Sequence, residues 1–259
     1  TLSDDRRQRQ MCIRDRIETR LSPTKGIVEG LRQIKDKAEV AALAAAAAAG
    51  DAAFTEVRAL AAAEGTEADV GWGLIEAMRR SGGRQAGWPP IVACGANAAL
   101  PHHLSENDPL GTELLLLDYG CTVDGYHSDM SRTIWLDGEP DAEVARMHQA
   151  VLESQESGIA AVLPGATGHD VDEACRAVLR DYGYEERFVH STGHGVGLEI
   201  HEAPRLARKS EDILRPGHVV TVEPGVYLPG FGGVRIEDMV LVTETSNEVL
   251  TQSDKGLKA

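Results

Sequence analysis

Asp118 ends a run of four leucines, Leu114–Leu117, and Asp129 lies in the middle of the strand-like segment that follows a turn at Asp124-Gly125. An ionised carboxylate held away from water must be paired, hydrogen-bonded or coordinated. Three more donor side chains occur in similar surroundings downstream. His194 stands between glycines in STGHGVGLEIHE, Glu223 sits on a strand in TVEPGVY, and Glu237 lies inside the apolar stretch GGVRIEDMV. Two acid-bearing hairpins can aim four carboxylates at one point. Four such groups about 4 Å apart repel by roughly 4 kcal/mol per pair at an effective dielectric of 20. Without compensation some would have to stay protonated. Two divalent cations cancel the four charges, and a hydroxide fits between them. Oxygen-rich donors with a single imidazole favour Mn²⁺, with Co²⁺, Fe²⁺ and Zn²⁺ as alternatives. Such a centre lowers the pKa of the bridging water and polarises a carbonyl.

Each residue alone has a simpler explanation. Asp118 could be a turn acid, Asp129 and Glu237 could pair with Arg132 and Arg235, His194 could be a satisfied core histidine, and Glu223 a surface acid at a strand edge. The joint pattern favours the metal, because surface acids need not recur inside apolar strands of both halves of a chain.

The elements that must carry these residues follow from periodicity. From Lys25 to Gly65 an alanine-rich stretch has helical spacing, with Gly50 and Gly65 as breaks. Thr66-Glu67 opens a second helix that runs to about Arg80 and stops at Ser81-Gly82-Gly83. Pro89-Pro90 precede a short strand, and Pro101-His102-His103 lies in the loop after it. The Leu114–Leu136 hairpin follows. A helix after Pro140 ends at Pro164-Gly165, and another spans Thr167 to Tyr182. Strand-like RFVHSTGHG, HVVTVEPGVYL and GGVRIEDMVLVTE close the chain. Period 2 puts Arg235 and Glu237 on one face, and YLPGFGG joins Glu223 to Glu237 as a hairpin. Helix, helix, strands occurs twice, without an obvious residue-level repeat. The fold class is α+β, two similar halves around a shared sheet.

The 259 residues are 42% hydrophobic, enough for a core, and carry a formal net charge of −15. A nucleic-acid partner needs a basic surface and is excluded. Cys12, Cys94, Cys121 and Cys175 form no C-x-x-C pair and read as free thiols in a reducing cytoplasm. The N-terminus has no apolar signal core. The alanine run Ala41–Ala49 is too short to span a membrane. Residues 1–24, with the unpatterned RQRQMCIRDR, read as an unstructured or artefactual tail, and 25–259 as one catalytic domain.

DYGCTVDGYHSDMSRT, STGHGVGLEIHEAP, TVEPGVY and GGVRIEDMV, in this order, resemble the catalytic domain of the proline-specific metallopeptidases, Xaa-Pro aminopeptidase and Xaa-Pro dipeptidase. The resemblance runs from about Lys25 to Thr251. It implies the pita-bread fold: two α+β halves related by an approximate two-fold, with two metals between them. It implies Asp118, Asp129, His194, Glu223 and Glu237 as ligands, with Asp129 and Glu237 bridging, Asp118 on one ion, and His194 and Glu223 on the other. His102, His190 and His201 then match histidines that contact substrate or stabilise the tetrahedral intermediate. Arg235 matches an arginine that orients ligands, and Glu223 relays a proton. His103, His127, His148, His169 and His218 match none of these roles.

The function implied is release of an N-terminal residue that precedes proline, by an Xaa-Pro aminopeptidase acting on peptides with proline second. The alternative is an Xaa-Pro dipeptidase. A non-catalytic binding module or a creatinase-like enzyme on the same fold would replace ligands, and all five are present here. Ser131 stands where the family often has threonine. Family members usually carry an N-terminal domain that roofs the site and builds the oligomer. A short tail precedes Lys25 here, so the chain reads as a fragment or catalytic-domain-only form, and a homo-oligomer stays open.

Overall fold

The computed structural model describes residues 24–60, 65–85, 88–111 and 113–258. The tail expected over residues 1–24 lies outside the described residues except for Thr24. Arg32–Ala259 forms one unit, which holds everything discussed below. Of the other unit, Thr1–Leu31, the described structure includes helix α1 (Ile27–Arg32) up to its boundary.

Helix α2 (Lys37–Leu60) begins where Asp36 Oδ1 accepts from the Ala38 and Glu39 N–H groups. It runs straight through Gly50, where the sequence suggested a break. The bare glycine face is used for packing: Tyr119 Oη donates to Gly50 O at 3.3 Å, and a Cβ there would stand 3.2 Å from Met130 Sδ. Taken whole, α2 also has the length and apolar character to cross a membrane, which the alanine run alone did not suggest. Its Ala46, Ala49, Ala53 and Phe54 are buried in a cluster with Leu115, Leu117 and Met130, the use of a core helix.

Helix α3 (Glu67–Arg80) starts on a reciprocal capping box between Thr66 and Asp69. Strands β1 (Arg84–Gln85), β2 (Ile91–Cys94), β3 (Leu114–Tyr119), β4 (Cys121–Val123), β5 (Tyr126–His127) and β6 (Met130–Trp135) complete the first half. The second half opens with α4 (Ala142–Ala161) and α5 (Gly168–Asp181), the latter on the same box between Thr167 and Asp170. Both capped helices have 14 residues. The two helices thus share a length and a Thr-x-x-Asp cap. Strands β7 (Gly193–Gly195), β8 (Glu202–Leu206), β9 (Val219–Val222), β10 (Gly225–Leu228), β11 (Gly232–Arg235), β12 (Asp238–Val242) and β13 (Asn247–Val249) follow. RFVHSTGHG, expected as strand, is mostly irregular, with a 3-10 turn of helix ending at Arg187 and only β7 at its other end.

The strands form four hydrogen-bonded groups rather than one continuous sheet: β2-β3-β6, β1-β4-β5, β13-β12-β9-β7-β8 and β10-β11. All described pairings between these strands are antiparallel. The largest core cluster mixes Leu114 and Leu116 of the first half with Val220, Val222 and Val234 of the second.

Candidate metal centre

Each half carries a hairpin whose ladder is interrupted at its acids. In the first, β3 pairs with β6 down to Tyr119↔Met130, and pairing resumes at Thr122↔His127 between β4 and β5. Equal numbers of residues fall out on the two strands, so the register carries across the gap and sets Gly120 against Asp129. A Cβ at Gly120 would land on the Ser128 carbonyl oxygen. In the second hairpin β9–β12 ends at Val222↔Asp238 and β10–β11 begins at Gly225↔Arg235. Glu223 and Glu237 face each other in that gap, beside Pro224, which has no N–H to give a ladder. The sequence placed Asp129, Glu223 and Glu237 within strands; all three stand in the interruptions. The freed N–H groups find partners elsewhere: Glu237 N donates to Ser131 O at 3.1 Å, Asp129 N to Met239 Sδ at 3.4 Å, and Glu223 N to Thr192 O at 2.8 Å. The first two bonds cross between halves, so the gaps in the ladders hold the two hairpins together.

The side chains converge. One donor atom each from Asp129, His194 and Glu237 lie within 4.8 Å of one another. His194 Nε2 is 3.6 Å from Asp129 Oδ2 and 3.4 Å from Glu223 Oε1. Its Nδ1 lies 3.1 Å from Gly195 O, so Nδ1–H donates there and the Nε2 lone pair is left facing the acids. Burial, and then the neighbouring His201, pull the His194 pKa down to about 4, which keeps the imidazole neutral. Thr221 Oγ1 accepts from His194 N and donates to Glu223 Oε1, fixing both.

Asp118 stands slightly apart. Its Oδ2 accepts from Arg235 Nη2 at 2.6 Å, and no described bond occupies Oδ1. The simpler pairings considered for Asp129 and Glu237 do not form: Arg132 instead pairs with buried Asp238 at 2.7 Å. Arg235 Nε donates to Ser131 Oγ, which donates in turn to Glu237 Oε2 at 2.7 Å. Arg235 thus orients two of the acids, one directly and one through Ser131.

Tyr227, which the sequence gave no reason to single out, joins this network. Its hydroxyl accepts from Arg235 Nη1 at 2.8 Å and lies 2.8 Å from His190 Nε2, while His190 Nδ1 lies 2.8 Å from Ser191 O. Both His190 nitrogens are thereby engaged, and the ring also lines the cavity over the acids. A tyrosine inside an apolar strand looks like core, and only its partners distant in sequence reveal it.

A cavity of about 680 Å³ opens over the acids. His102 and His201 line it, as do Trp88, Ile91 and Arg205, which the sequence reading did not select. The guanidinium of Arg205 has no ion-pair partner among the described residues. His103 is held at 2.6 Å from the buried Glu67 carboxylate, which also accepts from Cys94 N and Asn97 Nδ2. That group, with Asp108, has metal-like spacing, but the Glu67 oxygens are already filled by donors. His127, His148, His169 and His218 lie outside the convergent acids.

The donor set fits a cation. Burial first, then Glu237 and the other acids, push the Asp129 carboxyl well above its usual range. Burial and the same repulsion raise Glu237, and burial lifts Glu223 to about 8. Groups so placed either hold protons or take a positive partner, and the neutral imidazole among them offers a lone pair that a divalent metal can use.

The chain matches the description "Metallopeptidase family M24" over residues 41–244. It is 37% identical over 237 residues to the Xaa-Pro dipeptidase of Pyrococcus furiosus, covering 89% of this chain and 66% of that protein. Among solved structures it superposes on the Xaa-Pro dipeptidase from Bacillus anthracis with a TM-score of 0.90 and 43% identity, covering 94% of this chain and 69% of that one. The X-Pro aminopeptidase from Thermotoga maritima gives 0.88 and 34%, covering 91% and 67%. The chain thus spans about two thirds of the length of these relatives. The architecture is the α+β pita-bread fold that the four motifs implied.

Proposed function

The chain belongs to metallopeptidase family M24, and from that membership we propose that it is a dinuclear, divalent-metal-dependent peptidase that splits Xaa-Pro dipeptides, with Lys25–Ala259 as its catalytic domain. The observation that carries this proposal is the clustering of Asp129, His194 and Glu237 donor atoms within 4.8 Å at the floor of a cavity. Asp118, Asp129, His194, Glu223 and Glu237 would hold two ions, Mn²⁺ first among the alternatives. When bound, the ions activate a water and polarise the scissile carbonyl.

The remaining roles belong to the chain's own residues. His194 presents Nε2 because Gly195 O holds its other nitrogen. Arg235 holds Asp118 directly and Glu237 through Ser131. Glu223, whose Oε1 takes the Thr221 hydroxyl, moves a proton at Oε2 to the leaving imino nitrogen. His201 and His102, on the cavity wall, stabilise charge developing on the carbonyl oxygen.

The dipeptidase is preferred here over the aminopeptidase that the sequence put first. Two observations support the change: the names of the relatives from P. furiosus and B. anthracis, and Arg205. A dipeptide brings its free carboxylate close to the scissile bond, where a guanidinium with no ion-pair partner among the described residues can bind it bidentately. The test uses the Mn²⁺-loaded chain with an Xaa-Pro dipeptide, its C-terminal amide and an Xaa-Pro-Yaa peptide, identifying products by chromatography. The dipeptide should be cleaved, EDTA should stop the reaction, and the amide should react about 10–100-fold more slowly through loss of a charged hydrogen bond. Faster cleavage of the longer peptide would restore the aminopeptidase. Cleavage of none of them, with metal bound, would leave the binding module.

A further inference from the structure

His201 faces the cavity, yet neither of its ring nitrogens has a hydrogen-bond partner among the described residues. His190, by contrast, has both engaged. The His201 ring rests edge-on against His194, with centroids 4.3 Å apart. Its aim therefore depends on the backbone that carries it.

That backbone is pinned one residue on. Glu202 Oε1 accepts from Lys35 Nζ at 2.6 Å, and Oε2 accepts from Arg32 Nη2 at 2.8 Å. The Lys35 side chain is 1% exposed and that of Glu202 9%, so the pair is sealed from water. Lys35 is itself fixed, its N–H donating to Gly217 O at 2.9 Å. On the opposite side the carboxylate lies against Gly197, where a Cβ would stand 2.6 Å from Oε1. Gly197 O accepts from His127 N at 2.9 Å. The loop that ends in His201 thus leaves and returns at one carboxylate, which Lys35 holds in place. A buried ion pair is a poor source of stability, because desolvation offsets its attraction; fixing geometry is a better account of its presence.

We propose that Lys35 is a positioning residue for His201, acting through Glu202. The proposal rests on the peptidase reading for what His201 does, but the placement of the ring can be observed without it. Lys35 comes from the connection between α1 and α2, remote in sequence from every ligand, and no motif in the chain points to it.

The test is a double-mutant cycle on the metal-loaded full chain with an Xaa-Pro dipeptide. Lys35→Met should lower kcat about tenfold with KM within about twofold, and should cost nothing further in a His201→Ala background. Bound metal, measured by mass spectrometry, should not change. In the metal-free protein the His201 ring signals, identified by their loss in His201→Ala, should shift in Lys35→Met while those of His190 stay. Equal losses of kcat in both backgrounds, or unmoved His201 signals, would overturn the proposal. Should Lys35→Met not fold, Glu202→Gln, which keeps the shape and weakens the pair, carries the same cycle with the same two outcomes. If the unmutated chain cleaves no Xaa-Pro peptide, the peptidase reading fails, and the ring signals alone decide the positioning of His201.

Discussion

His218 shows how one buried side chain ties stability to pH. It is 3% exposed, and its Nδ1 accepts from Arg215 N at 3.2 Å, so the neutral ring is the form that fits. Burial first, then the charges of Lys35 and Arg215, draw its pKa down to about 4, with Asp212 opposing. An unfolded histidine titrates near 6.5. Between these values the unfolded chain binds the extra proton, so stability is complete above about pH 6.5 and drains away as the pH falls toward 4. His218→Asn offers an oxygen near the Nδ1 position and does not titrate. Melting of the metal-free protein across pH 7 to 4 should fall more steeply for the parent than for the variant, by up to about 1.4 kcal/mol per pH unit. Parallel curves would refute this. At the same scale, the convergent acids and His194 were legible in the sequence because each is a charged or coordinating group in an apolar setting. Tyr227 and Arg205 were not. A tyrosine in an apolar strand is ordinary, and an arginine with no ion-pair partner among the described residues becomes visible only once the described carboxylates are placed.

The interrupted hairpin brings acids together without burying them inside a ladder. A continuous strand would alternate Asp129 and Glu237 with apolar neighbours on two faces; the gap frees the backbone to turn both inward. Gly120 permits this in the first half, because its α-carbon lies against the Ser128 carbonyl. Gly120→Ala should force the hairpin apart, lowering stability by about 1–3 kcal/mol. It should lower bound metal more than a change of similar cost far from the gap. Calorimetry and metal analysis of the purified variant check both, and full metal content at reduced stability would detach the gap from the site. Helices were largely legible from the sequence: the Thr66 and Thr167 boxes are local, and alanine favours the helix wherever it lies. The gaps were not. Pro224 hinted at the second, but a ladder ends where its partner also fails, and the partner is the other strand of the hairpin. Gly50 misled for a related reason. Its intrinsic cost in a helix is about 1 kcal/mol, and packing against Tyr119 and Met130 outweighs it.

The centre lies where the two halves meet, and opposing forces act there. Hydrogen bonds to backbone groups draw them together: Ser131 O takes Glu237 N, Thr133 Oγ1 donates to Arg235 O, and Arg132 Nη1 donates to Glu237 O. The core cluster shared by Leu114, Leu116, Val220 and Val234 adds apolar burial across the same joint. Against these stand Asp118 and Asp129 from one half and Glu223 and Glu237 from the other, in a chain of net charge −15. The apolar joint does not depend on a cation, so removing metal should weaken the molecule without unfolding it. At a metal concentration a hundredfold above Kd, binding contributes about 2.7 kcal/mol, or about 5–10 °C in Tm for a chain of this size. EDTA should produce that drop with unchanged far-ultraviolet circular dichroism at 25 °C, and Mn²⁺ should reverse it. The effect should vanish in Asp129→Asn/Glu237→Gln, which removes two of the proposed ligands and much of the repulsion the cations offset. A chelator shift that survives there would locate the stabilising ion elsewhere, with Glu67, His103 and Asp108 the first group to examine, and would break the link between the joint and the chemistry.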